Sequence, residues 1–107
     1  MGAALSVLLA AQPASAHGVI SITHDRPVLW VNVTLSDASA DHVGIRILRP
    51  ARRSQDRLYQ RCDLPYSGPG TYRCGIDVNT ARRHPGTWVA RAFLDGIEVA
   101  RQRFVIE

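Results

Sequence analysis

Lysine is missing from this chain. All thirteen cationic side chains are arginine, set against nine aspartates and glutamates, which leaves a formal net charge of +4. Arginine presents a rigid donor fork that matches carboxylate and phosphate groups, so an all-arginine set suits anionic partners. Codon bias in a GC-rich bacterial genome gives the same result, and the abundant alanine, glycine and proline agree with it. The arginines are also spread over most of the strand-like runs rather than gathered in one segment. Glutamate is nearly missing too: only Glu98 and the terminal Glu107 occur, so a glycosidase-like carboxylate pair is not expected. Cysteine occurs twice, at Cys62 and Cys74, too few and too far apart for a CxxC redox or zinc site. Ser36 and Ser39 lie near Asp37, Asp41 and His42, yet no nucleophile elbow or triad spacing surrounds them. No apolar run reaches the about 20 residues that a membrane-crossing helix needs. Solenoid-length repeats, linkers and low-complexity segments are missing as well.

What is present begins with an export signal. Met1–Ala16 carries no charged side chain; Leu5 to Ala11 forms a short apolar core, and Ala14-Ser15-Ala16 is a small-x-small cleavage pattern. The cation that usually precedes such a core is missing, as a start placed downstream of the natural one would produce. Cleavage after Ala16 leaves residues 17–107 as one domain, expected to be secreted, with a core thin enough to benefit from a staple. In an exported chain, Cys62 and Cys74 read as a disulfide, and their spacing suits a bridge between neighbouring strands.

The rest of the chain alternates with the period of two that marks strands. Val19–Thr23 is a short strand, broken at Asp25-Arg26-Pro27. In Val28–Leu35, residues Leu29, Val31, Val33 and Leu35 share one face, with Trp30, Asn32 and Thr34 on the other. Val43, Ile45 and Ile47 alternate with Gly44, Arg46 and Leu48 in a third strand. A basic stretch, Arg49 to Arg61, leads into a strand at Leu58–Leu64, and Pro65–Gly70 is a turn. Tyr72, Cys74, Ile76 and Val78 alternate in the next strand, which a polar connection, Asn79–His84, joins to Trp88, Ala90 and Ala92. Asp95-Gly96 supplies the two positive-φ residues of a tight hairpin, and Ala100, Gln102, Phe104 and Ile106 share a face of the return strand. About seven strands and no helix period predict an all-β antiparallel sandwich. Its expected core is Leu29, Val31, Val33, Ile45, Ile47, Tyr72, Ile76, Trp88, Ala90, Ala92 and Phe104.

The closing segment, Pro85-Gly86-Thr87-Trp88-Val89-Ala90 through Asp95-Gly96 to Phe104-Val105-Ile106, resembles that of bacterial secreted immunoglobulin-like domains. Gly70-x-Tyr72-x-Cys74 resembles their tyrosine corner, although Cys62 stands too close in sequence to serve as the usual inter-sheet partner. The resemblance implies architecture and no particular function, because such sandwiches host many unrelated ones.

Two sets of residues are candidates for function. Arg52, Arg53 and Arg57, in the basic stretch, are expected to contact a partner, either a protein or an anionic cell-envelope polymer; nucleic acid is not expected for an exported chain. The leading expectation is therefore a non-enzymatic binding module without a cofactor. The alternative is copper. After cleavage, His17 would offer its α-amine and imidazole together, and His24 or His42 would complete a nitrogen set suited to Cu(II), with His84 a further partner. A leading His-Gly resembles the start of lytic polysaccharide monooxygenases and of small periplasmic copper carriers.

Overall fold

Residues that alternate between apolar and polar bury one side of each strand, and here those buried sides face one another across two sheets. The computed structural model describes residues 5–6, 18–37, 39–50 and 57–107, apart from the side chains of 5, 6 and 57. The strands are β1 (Leu5–Ser6), β2 (Gly18–Asp25), β3 (Val28–Leu35), β4 (His42–Arg49), β5 (Arg57–Pro65), β6 (Gly70–Asp77), β7 (Gly86–Leu94) and β8 (Ile97–Ile106). A single helical turn, α1 (Val78–Ala81), lies between β6 and β7. One sheet runs β2-β3-β6 and the other β1-β8-β7-β4-β5, with every pairing antiparallel. Of the expected signal segment, only Leu5 and Ser6 are described, paired with Ile106 and Val105. Among the described residues, no helix is long and apolar enough to cross a membrane.

The core is the one that alternation predicts. Leu29, Val31 and Val33 of β3, Ile45 and Ile47 of β4, and Trp88, Ala90 and Ala92 of β7 are fully buried, as is Phe104 of β8. Trp88 fits an apolar interior because its one polar atom is satisfied: Nε1 donates to the His84 carbonyl at 2.8 Å. Its ring packs against Phe104, with centroids 6.1 Å apart. Tyr72 is an exception among the expected core residues. It is only half-buried, because its hydroxyl is used at the rim, donating to Gly68 O at 2.6 Å and accepting from Ser67 N at 2.9 Å. That bond to backbone four residues upstream is the one a tyrosine corner makes.

Local chemistry sets the turns. Asp95 and Gly96 take φ of 49° and 84°, the left-handed pair that a two-residue hairpin requires. The Asp95 carboxylate then accepts from the amides of Asp41 and His42, both at 2.9 Å, and so ties the β7–β8 hairpin to the start of β4. The bond from His42, followed by that from Asp41, holds the Asp95 carboxyl below its ordinary pKa. On β6, Gly75 leaves room for the Trp30 ring: an added Cβ would come within 2.9 Å of Trp30 Cζ3. Arg73 covers that ring from above, its guanidinium carbon 3.9 Å from the centroid.

Two expectations change. The polar connection after β6 is not all loop, because Asp77 caps α1 by accepting from Asn79 N at 2.9 Å, and Val78 and Ala81 are buried beneath it. The disulfide forms as expected between Cys62 and Cys74, with Cα atoms 5.9 Å apart, but it does not join neighbouring strands of one sheet. β5 is the edge of the five-stranded sheet and β6 the edge of the other, so the bond staples the two layers together along one side. Closeness in sequence does not prevent this, since the Tyr66–Pro69 crossing brings the two edges face to face.

Closing a loop of this size is worth about 3 kcal/mol in the chain-entropy model. Reduction, or replacement of both cysteines by serine, is expected to lower the unfolding free energy by about that amount. Urea titrations with and without reductant measure it, and an unchanged midpoint would contradict the layer-stapling role.

Candidate functional site

β4, β5, β7 and β8 each bury one face, so the side chains between the core positions form the outer surface of the five-stranded sheet. On β4 the residue between Ile45 and Ile47 is Arg46. The register sets Arg46 opposite Arg61 of β5 on one side and opposite Arg91 of β7 on the other. Arg91 in turn stands opposite Arg101 of β8. Arg61, Arg46, Arg91 and Arg101 thus form one row across neighbouring strands, with Arg103 a step away on β8. Like charges placed directly opposite on a sheet are destabilising, each pair by about 1 kcal/mol at contact range in water.

Neighbouring groups offset part of that repulsion. Glu98 sits between Arg91 and Arg101, accepting from Arg91 Nε at 2.8 Å and from Arg101 Nε at 2.9 Å. Asp63 accepts from Arg61 Nε at 3.1 Å, an exposed pair worth little. Phe93 lies under two of the cations, with Arg46 at 4.8 Å and Arg91 at 5.1 Å from its centroid. Arg46 and Arg103 meet no carboxylate among the described residues. The face therefore keeps a surplus of positive charge, held in place by β-sheet register and by Phe93. Such a face can bind anions.

Glu98 is the group whose ionisation the row depends on. The Arg101 hydrogen bond lowers its pKa below the ordinary 4.5; partial burial opposes this, and the bond and charge of Arg91 add to the lowering.

The residues expected to contact a partner are not tested by this geometry. Arg52 and Arg53 lie outside the described residues, as does His17. The backbone of Arg57 pairs with Arg49 at the start of β5, so the basic stretch feeds directly into the strand that carries Arg61. His24 and His42 are not brought together. His24 pairs with Leu29 near the β2–β3 turn, whereas His42 begins β4 at the opposite end, beside Asp95. His84 instead contacts Arg49, at 3.3 Å from Nη1 to Nδ1, and packs edge-on against Tyr59. Among the described residues, no three His, Cys, Asp or Glu side chains are grouped as a metal site would need.

The arginines do lie on most of the strands, as the sequence suggests. They are scattered along the chain, yet the strands place four of them at one level. Alternation does mark Arg46, Arg91 and Arg101 as outward-facing; the register between strands far apart in sequence is what gathers them. Comparison with protein-family models, curated proteins and solved structures yields no match.

Because the Glu98 pKa is lowered on folding, its contribution to stability is complete above pH 4.5 and is lost as pH falls through the lower folded value. Glu98→Gln is expected to cost about 1 kcal/mol at neutral pH and to flatten stability against pH in the acid range. Thermal unfolding of both proteins between pH 3 and 7 measures this; parallel curves would remove Glu98 as the neutralising group.

Proposed function

We propose that this protein is a secreted, non-enzymatic binding module whose arginine face holds an anionic polymer of the cell envelope. The observation that carries the reading is the in-register row of Arg61, Arg46, Arg91 and Arg101, kept despite its cost in repulsion. Charge arranged against stability is what a binding surface retains and a purely structural one sheds. Neighbouring strands lie about 4.8 Å apart, so the row presents a cation at each such step over about 14 Å. An open sheet face of this kind suits an extended chain lying across the strands; small molecules prefer concave sites.

The remaining parts of the reading agree with it. A disulfide is stable in an oxidising compartment, which supports export after the Met1–Ala16 signal. The sheet order, with the chain crossing between layers after β3, β5 and β6, is compatible with an immunoglobulin-like sandwich. The basic stretch that contains Arg52, Arg53 and Arg57 leads in sequence into the edge strand of the same sheet, and the proposal gives it the same anionic partner.

The test uses Arg46 and Arg103, cations of this face without a carboxylate partner among the described residues. Arg46→Gln with Arg103→Gln is expected to weaken binding to isolated cell-wall polyanion several-fold at low salt and to make it less salt-dependent. The thermal midpoint should stay level or rise slightly, since repulsion is relieved. Equal affinity and equal salt response in wild type and double variant would sink the assignment.

A further inference from the structure

An open sheet ends in strands whose outer backbone donors and acceptors another strand can join, and proteins ordinarily blunt such edges with charge, proline, bulges or cover. Three long edges of this sandwich are blunted in that way. β5 carries Arg61, Asp63 and Pro65, shifts its register against β4 between Ile47 and Leu48, and is bound through Cys62 to the other layer. β6 carries Arg73 and Asp77 and is bound through Cys74. β8 carries Arg101 and Arg103, shifts against β7 between Ala92 and Phe93, and pairs with β1 at Val105 and Ile106. β2 has none of these devices. From Gly18 to Thr23 it has no charged side chain and no proline, and its pairing with β3 runs from Gly18 to Asp25 without a shift. Its other edge meets no strand among the described residues.

The side chains of β2 suit a second β2. Ile20 is buried and Ile22 half-buried on the inner side, while Val19, at 59% exposure, stands outside with Ser21 and Thr23. In an antiparallel pair, directly opposed residues share a face, so inner residues must meet inner ones. Centring a two-fold pair on Ser21 does this from Gly18 to His24: Ile20 meets Ile22 of the other copy, Val19 meets Thr23, and Ser21 meets itself. Centring on Ile22 would instead set Asp25 against Val19 and His24 against Ile20. Charge favours the same occupant. Each chain carries a net +4, and the other three edges would bring arginine-bearing strands together, whereas this run brings no cation near its copy. The two Asp25 carboxylates lie at opposite ends of the pair.

We infer that the free edge of β2 is the docking site for a second copy of this chain, joined antiparallel about Ser21. The two three-stranded sheets become one six-stranded sheet, in the order β6-β3-β2 and then β2-β3-β6 of the second copy. The contact is isologous, so it closes at two copies. Its two-fold axis stands perpendicular to the joined sheet, which leaves both five-stranded sheets on one side with their arginine faces turned the same way. Resting on the polymer-binding reading, a chain held by one face then meets a second beside it and gains avidity.

Sedimentation equilibrium of the exported protein over a wide concentration range, without any polymer, tests the assignment. The average mass is expected to rise with concentration from one chain to two and to stop there. Ser21→Lys and Ser21→Glu each set a charge against its own copy, and each is expected to raise the dimer dissociation constant about fivefold. The Ser21 side chain is exposed, so both variants should keep the wild-type circular dichroism spectrum. Mixing the two in equal amounts sets Lys against Glu, and dimer is expected to return at least to the wild-type level. Arg46→Gln with Arg103→Gln should dimerise as the wild type does, which separates this contact from polymer binding. A single-chain mass at every concentration, growth beyond two chains, a dimer indifferent to charge at position 21, or a mixture no better than its components would each overturn the β2 contact. None of those results would bear on whether one arginine face holds a polyanion.

Discussion

The pairing of β4 with β7 is the constraint on which most of the molecule depends. It joins strands more than forty positions apart, and its register decides two surfaces together. Setting Ile45 opposite Ala92 and Ile47 opposite Ala90 builds the centre of the core, with small residues facing large ones. The same register sets Arg46 opposite Arg91 on the far side. A slip of one residue would send the arginines inward and the isoleucines out, so burial of the core fixes the charge pattern outside. The repulsion in the arginine row is thus imposed by packing energy that exceeds it. Trp88, which is fully buried two positions from Ala90, makes that packing hard to exchange for another register.

Much of the fold was legible because its signals are local. Val28–Leu35 has the period of two without interruption, and it forms β3 over those same residues. Asp95-Gly96 specifies a two-residue turn through φ alone, and the hairpin follows. Gln102 would read as an outward-facing residue by polarity, yet alternation places it on the buried face, and its amide is satisfied by the Arg103 carbonyl at 2.9 Å. Where an expectation failed, the cause was a contact that alternation along one strand does not register. Tyr72 has the right phase for the core, but its hydroxyl is held at the rim by Gly68 and Ser67. The Asn79–His84 connection reads as polar because Ala81 is its one apolar residue, and Ala81 with Val78 forms the buried side of α1.

The candidate sites were harder to foresee for the same reason. Arg46 and Arg91 are flanked by apolar neighbours in their own strands, and no arginine of the row is near another in the chain. Only the strand order brings them level. The cysteines show the converse case: their closeness suggested a bridge within one sheet, whereas the crossing between β5 and β6 turned it into a bridge between layers. With β5 at one edge and β6 at the other, the covalent link closes the side of the sandwich where hydrogen bonding between the sheets is missing.

The two tryptophans occupy opposite kinds of environment. Trp88 lies in the apolar interior between the sheets, while Trp30 lies on the outer side of the three-stranded sheet, over Gly75 and beneath the Arg73 cation. Indole emission depends on nearby charge and on solvent, so the two rings act as separate optical reporters, one for the interior and one for the β3–β6 surface. Loosening of that outer surface would change the light from Trp30 before the interior opened, and the protein therefore carries its own means of telling local fraying from global unfolding.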